Sequence, residues 1–182
     1  MLKKLGMVTT IAAMVLLAAC GETGPENSSF TATVTGDTTL SFEGEALFGV
    51  SSTSGRDHWV LFFTRGLFGG LDFDAVAIGR NNSDTPIGVG VHTIEDATRD
   101  EPDGEDIEGV YTLARSSDGS IASYGSVAGT LTITSASADE IRGDFEFSAE
   151  FVLAVGSFGD VRNVTLSGSF TATPGSIPSI NQ

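Results

Sequence analysis

Residues 141–153 of this chain of 182 residues read IRGDFEFSAEFVL. In this stretch, apolar or small residues alternate with polar ones, and a repeat of two is the period of a β-strand. The run GTLTIT precedes it at residues 129–134, and VTLSGSFTA follows at residues 164–172 with the same alternation. The three runs predict neighbouring antiparallel strands with one buried and one solvated face.

The same period extends back toward Phe30, with turn-forming residues between the alternating runs. Residues 58–63 form a nearly continuous apolar run, typical of a strand covered on both faces. A change of apolar phase between Phe73 and Val76 predicts a β-bulge. We expect an all-β fold, an antiparallel sandwich of about eight to ten strands. A closed antiparallel barrel is the alternative, since both architectures alternate core and solvent faces.

Glycine and phenylalanine recur on the same face of the predicted strands. The pairing is present in residues 39–44, 143–147 and 168–172. A residue without a side chain beside a large ring lets the ring reach across to a neighbouring strand. We interpret the repeated pairing as core packing.

The first 20 residues follow a different pattern. Lys3 and Lys4 precede an apolar run at residues 7–19, which ends in LAAC, from Leu17 to Cys20. A basic start, an apolar stretch and small residues before a cut site are typical of a secretory signal. The run is shorter than the roughly 20 residues that span a bilayer.

LAAC resembles the lipobox of bacterial lipoproteins. The resemblance implies that the Cys20 sulfur carries a diacylglycerol, that the chain is cut before Cys20, and that the lipid anchors it to a membrane. In the Gram-negative lipoproteins that this chain resembles, an aspartate after the cysteine favours the inner membrane. Gly21 stands at that position, so the resemblance implies the outer membrane.

The expected organisation is therefore a helical signal peptide at residues 1–19, a lipidated tether at 20–29, one β domain at 30–174 and a disordered tail at 175–182. The strand runs of the last third also resemble the C-terminal half of uncharacterised β-rich lipoproteins with G-x-F-x-F motifs. That resemblance implies no activity and no functional residue.

The charge of the chain restricts its partners. The net charge is −15, and removal of Lys3 and Lys4 leaves −15 − 2 = −17, with arginine as the only remaining base. Such a surface repels phosphates, so no nucleic acid is expected as a partner. An acidic, lysine-free surface fits either solubility by charge or adaptation to a salty medium. Cys20 is the only cysteine, so the domain has no internal disulfide.

Few residues suggest catalysis. His58 and His92 could serve a hydrolase together with carboxylates, but a zinc site needs three or four ligands. Asp72 and Asp74 have the spacing of two acids facing one cleft, as in glycosidases, and we interpret them as a solvated face. No nucleophile motif or phosphate-binding loop is present.

An acidic stretch at residues 100–108 is the best candidate for a cofactor site. Asp100, Asp103 and Asp106 could offer oxygen ligands to calcium, although the spacing is not that of an EF-hand. No other cofactor is expected.

The sequence thus predicts a membrane-anchored lipoprotein without enzymatic activity, which binds a partner or serves the envelope structurally. The alternatives are a carrier of a small apolar ligand in a barrel and a hydrolase that uses His58 or His92. The partner, whether a protein, a glycan or a small ligand, stays open.

Overall fold

The computed structural model describes residues 28–36, 39–53, 56–66, 72–99, 106–115, 117–156 and 163–177. The expected signal peptide and Cys20 lie outside these residues. The described part contains nine strands: β1 (Ser29–Thr35), β2 (Leu40–Thr53), β3 (Arg56–Arg65), β4 (Phe73–Arg80), β5 (Gly90–Ile94), β6 (Ile107–Arg115), β7 (Ser120–Ala136), β8 (Ile141–Val155) and β9 (Asn163–Pro174). None of the described segments forms a helix long and apolar enough to span a membrane.

The strands form one sheet that closes on itself. Its order is β5-β7-β6-β4-β3-β2-β1-β9-β8, and β8 pairs again with β7. Eight strands thereby close an antiparallel barrel. The ninth, β5, shares an edge of β7 with β6: β6 pairs with its first part, up to Gly125, and β5 pairs with its later part, from Gly129 to Ile133.

The all-β prediction and the barrel alternative are confirmed. The preferred sandwich is wrong, because β8 bonds along its length to β7 on one side and to β9 on the other. A sandwich has separate sheets with edge strands, whereas closure removes the edges. Alternation of core and solvent faces is the same in both, so the sequence pattern did not distinguish them.

Aromatic rings fill the interior of the barrel. The Phe63 ring on β3 lies 5.5 Å from Phe30, 5.3 Å from Phe145 and 5.0 Å from Phe170, between ring centroids. Phe145 and Phe170 belong to β8 and β9, which do not neighbour β3 in the sheet. These contacts therefore cross the interior, and Phe63 sits where a hollow barrel would hold a ligand.

Glycines make room for these rings, as the sequence pattern suggested. Gly44 is the cross-strand partner of Phe30, Gly143 of Phe170, and Gly168 of Phe145. A Cβ at Gly44 would lie 3.0 Å from the Phe30 ring, and one at Gly168 would lie 2.7 Å from the Phe145 ring. The interpretation of the glycine–phenylalanine pairs as core packing is confirmed.

The wall formed by β3, β4 and β6 is apolar on its outer face as well. A second buried cluster there contains Val60, Phe62, Phe73, Ala75, Ala77, Ala114 and Ile177. The bulge predicted in β4 is wrong, because β4 pairs with β3 and β6 without a register shift. Both faces of β4 are buried, so its apolar residues change phase without any change in the backbone.

The C-terminal segment contributes to this outer wall. The Gly175 amide donates to the Phe48 carbonyl at 3.0 Å, and Ile177 is buried in the outer cluster. The packed chain therefore continues to Ile177, three residues beyond the predicted domain end at 174. The rest of the expected tail lies outside the described residues.

Candidate functional site

The two histidines lie on different strands and bond to different parts of the chain. His58 Nδ1, on β3, accepts from the Asn82 amide at 3.4 Å, and His92 Nε2, on β5, bonds the Gly88 carbonyl at 2.8 Å. Strands β3 and β5 are not neighbours in the sheet. Within the described ranges, no three His, Cys, Asp or Glu side chains are placed to hold a metal ion.

His58 belongs instead to a group that the sequence did not reveal. The Asn81 side chain, at the end of β4, lies close to both His58 and Glu108 of β6. Asn81 and Glu108 are each only 2% exposed. Neither carboxylate oxygen of Glu108 nor the amide nitrogen of Asn81 has a partner with full hydrogen-bond geometry among the described residues. A buried carboxylate in this condition is costly, since burial without hydrogen bonds penalises the charge.

The surroundings of Glu108 favour its protonated form. Burial, the largest effect, raises the pKa of Glu108 to about 7. The contact with Asn81 lowers this pKa, Asp106 and Asp96 raise it, and Arg99 lowers it. Burial likewise lowers the pKa of His58, and its contact with Asn81 opposes that effect. At neutral pH the group thus has a neutral imidazole beside a carboxyl close to half-ionised.

The chain before β6 lies against Glu108. The Glu95 amide donates to the Ile107 carbonyl at 2.7 Å, and the Ala97 amide donates to the Ser126 carbonyl at 2.9 Å. The hydroxyl of Ser126, fully buried on β7, donates to the Glu95 carbonyl at 2.5 Å and accepts from the Gly109 amide at 3.0 Å. Through its hydroxyl and its carbonyl, Ser126 therefore attaches residues 95–97 to β7.

One arginine holds the acidic side chains of this segment together. Arg99 Nη2 lies 3.0 Å from Asp106 Oδ2 and 3.5 Å from Glu95 Oε2. Of the three predicted calcium ligands, Asp106 is thus engaged by Arg99, and Asp100 and Asp103 lie outside the described residues. The calcium site stays a prediction.

A second polar group lies at the opposite end of β4. The Asp74 side chain is fully buried and accepts hydrogen bonds from Tyr111 at 2.8 Å, from Arg115 at 3.0 Å and from Arg65. Arg115 also donates to the carbonyls of Phe73 and Ala114. Burial and the neighbouring Asp74 raise the pKa of Tyr111, which keeps its hydroxyl a donor.

The interpretation of Asp72 and Asp74 as one solvated face is wrong for Asp74. Asp72 is exposed, but Asp74 shares the inward phase of Val76 and Ile78 and is clamped by two arginines. A charge in this position is tolerated because every carboxylate oxygen has a charged or hydroxyl donor. The arrangement is that of a structural ion-pair cluster rather than of a glycosidase pair.

On the side of the barrel opposite the apolar outer cluster, the outer face of the sheet is polar and concave. A shallow cavity of about 350 Å³ lies on β7, β8 and β9. It is lined by Thr130, Thr132, Asp144, Phe145, Glu146, Ser167 and Gly168. Hydroxyls and carboxylates there face solvent, so the wall offers hydrogen bonds and negative charge to a polar partner.

No protein-family model matches the chain, and no curated protein or solved structure matches it.

Proposed function

We propose that the chain is a bacterial lipoprotein whose barrel is a solid, non-enzymatic scaffold that binds a partner on its outer surface or supports the envelope. Export, cleavage before Cys20 and lipid on that cysteine would hold it on a membrane, with the outer membrane favoured. The lipobox-like residues 17–20 support the anchor. The first strand begins at Ser29, at the end of the expected tether of residues 20–29.

One observation carries the scaffold part of the proposal. Phe63 meets rings from three other strands across the barrel interior, and interiors packed in this way leave few voids larger than a water molecule. A ligand inside would have to displace these rings. The polar concavity on β7, β8 and β9 is a surface where binding requires no such displacement.

A carrier of a small apolar ligand is the second candidate. The closed barrel favours it, because barrels of about eight strands can hold one small ligand. For this function the aromatic rings would have to move apart in the loaded state.

Metabolic labelling tests the anchor. Cells that express the full chain and grow on labelled palmitate should incorporate label into this protein, and the Cys20→Ser variant should stay unlabelled. Each attached chain adds roughly 0.8 kcal/mol of membrane affinity per buried methylene. An unlabelled wild-type protein would refute the lipoprotein proposal without affecting the fold.

A fluorescent fatty acid distinguishes scaffold from carrier. The Cys20→Ser protein should not bind the probe at micromolar concentration. Phe63→Ala, which opens a cavity at a cost of about 3–5 kcal/mol, serves as the binding-competent control once circular dichroism confirms that it folds. Stoichiometric binding by the protein with Phe63 intact would support the carrier instead.

A further inference from the structure

Strand β5 is the one described strand that stays outside the closed barrel. It pairs with β7 over Gly90–Ile94, and no described residue forms a backbone bond along its other side. The chain finds a partner on that side only past the strand, where the Glu95 amide donates to the Ile107 carbonyl. We define the β5 edge as the side of residues 89–93 that faces away from β7.

The most exposed apolar side chains of the described residues lie at the β5 edge. Val91 is 73% exposed, and Val89, directly before the strand, is 63% exposed. Val91 faces outward, since it pairs with Thr132 of the outer cavity. A Cβ at Gly88 would meet no atom within 4 Å, so the space beside the start of the strand is open.

The β5 edge lacks the features that protect the edges of sheets. Natural edge strands carry charged side chains, prolines or bulges, which prevent pairing with another chain. Residues 85–94 contain no charged side chain, Pro86 lies outside the edge, and β5 pairs with β7 without a register shift. The edge therefore offers unpaired backbone groups beside apolar side chains, which is the chemistry that binds an extended strand.

Charge and symmetry favour a second copy of this chain as that strand. An edge that pairs antiparallel with its own copy makes a self-complementary contact about a two-fold axis. A basic foreign segment, which the net charge alone would attract, finds no carboxylate on residues 85–94. Two chains of net charge −15 repel each other, but at the β5 edge they approach without a like-charge pair.

We propose that two copies of this chain associate through their β5 edges, so that the two sheets continue into each other across a two-fold axis at Val91. The Val91 side chains of the two copies then meet, and Val89 of each copy lies opposite Thr93 of the other. Few residues take part, so the contact belongs with the weak interfaces of less than about 1,200 Å², with a dissociation constant in the micromolar range. The dimer depends neither on the proposed scaffold function nor on the lipid anchor.

Sedimentation equilibrium of the full chain carrying Cys20→Ser tests the dimer. The mass should rise from monomer to dimer with protein concentration, and molar potassium chloride should strengthen association because it screens the repulsion. Val91→Glu, which places two carboxylates at the axis, should weaken association at least about tenfold. Val155→Glu, at a valine 56% exposed on β8, should associate like the parent chain. Association through the first 20 residues would be equal in all three proteins.

A single cysteine tests the register of the two copies. Directly opposed residues of antiparallel strands have Cα atoms about 4.5–5.5 Å apart, within the range of about 4.4–6.8 Å that a disulfide spans. Val91→Cys in the Cys20→Ser chain should therefore form a disulfide-linked dimer on mild oxidation at least about tenfold faster than Val155→Cys. The cross-link keeps the proposal testable if Val91→Glu does not fold.

Three results would overturn the proposal. The first is a protein that stays monomeric up to about 1 mM, whether the edge is then open or covered by another part of the chain. The second is a dimer that Val91→Glu leaves intact, and the third is an equal rate of cross-linking for the two cysteine variants. In the second and third cases the copies would meet at another surface.

Discussion

At the residue scale, two buried carboxylates on neighbouring strands have opposite surroundings. Asp74 has three donors, two of them arginines, whereas Glu108 has no full hydrogen bond within the described chain. Desolvation costs both side chains, but only Asp74 recovers the cost through its partners. The first therefore stabilises the fold as a charge, and the second is best tolerated when neutral.

Replacing Asp74 should expose this difference. Asp74→Ala leaves Arg65 and Arg115 without their shared anion and Tyr111 without its acceptor. Loss of one partner of a buried pair costs about 3–5 kcal/mol, and the lower end is expected because both arginines are partly exposed. Urea unfolding measures the loss of folding stability. Asp144→Ala, at an exposed aspartate, is the control and should stay within about 0.5 kcal/mol of the wild type. Equal stability of the two variants would contradict the structural role.

Glu108→Gln should change how stability depends on pH. In the wild type the unfolded chain releases the Glu108 proton near pH 4.5, while the folded chain keeps it until about pH 7. The free energy of unfolding therefore has its full contribution from Glu108 below pH 4.5. This contribution is lost as the pH rises from 4.5 through 7. The decline amounts to about 3 kcal/mol.

The glutamine variant should lack this decline and be more stable than the wild type at pH 8. Thermal unfolding from pH 4.5 to pH 8 measures the difference, and Glu146→Gln is the matched control. Parallel stability profiles for the wild type and Glu108→Gln would show that Glu108 ionises at an ordinary pH.

At the element scale, glycine–phenylalanine pairs set the spacing of the strands. The pairs lie directly opposite each other across β1–β2 and β8–β9. The glycine face of one strand thus accepts the ring of the next, which fills the interior without forcing the strands apart.

Gly168→Ala should be destabilising for this reason. The new Cβ would lie against the Thr31 carbonyl and 2.7 Å from the Phe145 ring. Overpacking of this kind costs about 1–3 kcal/mol. Gly88→Ala is the control, because a Cβ there meets no atom within 4 Å. Equal melting temperatures for the two variants would contradict the packing role of Gly168.

The strands themselves were predictable, and their closure was not. Alternation identified β8 and β9, and the apolar run at 58–63 marked a strand buried on both faces. The sequence carries no signal for the pairing of β1 with β9, because the paired residues are at least 130 positions apart. A side chain that faces solvent in a sandwich also faces solvent in a barrel, so alternation does not distinguish the two folds.

The polar sites were harder to predict than the strands. The predicted exposure of Asp74 is wrong because its partners lie on the two strands that neighbour β4 in the sheet, Arg65 on β3 and Tyr111 and Arg115 on β6. Glu108 belongs to the acidic run at residues 100–108. Nothing in the sequence indicates that it is buried beneath residues 95–99. Burial of single polar residues depends on tertiary contacts that alternation does not encode.

At the scale of the whole molecule, a compact barrel carries a large negative charge. The nine lysines and arginines balance only part of the 24 aspartates and glutamates, which leaves a net charge of −15. Mutual repulsion of like charges destabilises a compact state and is weakened by salt.

Potassium chloride should therefore stabilise the Cys20→Ser protein. Its melting temperature should rise from low salt to molar salt, because the Debye length shrinks from about 30 Å at 0.01 M to about 3 Å at 1 M. Chloride is preferred to sulfate, which strengthens apolar burial in any protein. A melting temperature independent of salt would show that surface charge does not limit the stability of this barrel.

The sheet of this protein closes around an interior filled with phenylalanine rings. Nuclear Overhauser spectroscopy on a phenylalanine-labelled sample tests closure and filling together. The Phe63 ring protons should show cross-peaks to the rings of Phe30, Phe145 and Phe170, which come from three other strands. The absence of the Phe145 and Phe170 cross-peaks in the folded protein would show that the sheet does not close around these rings.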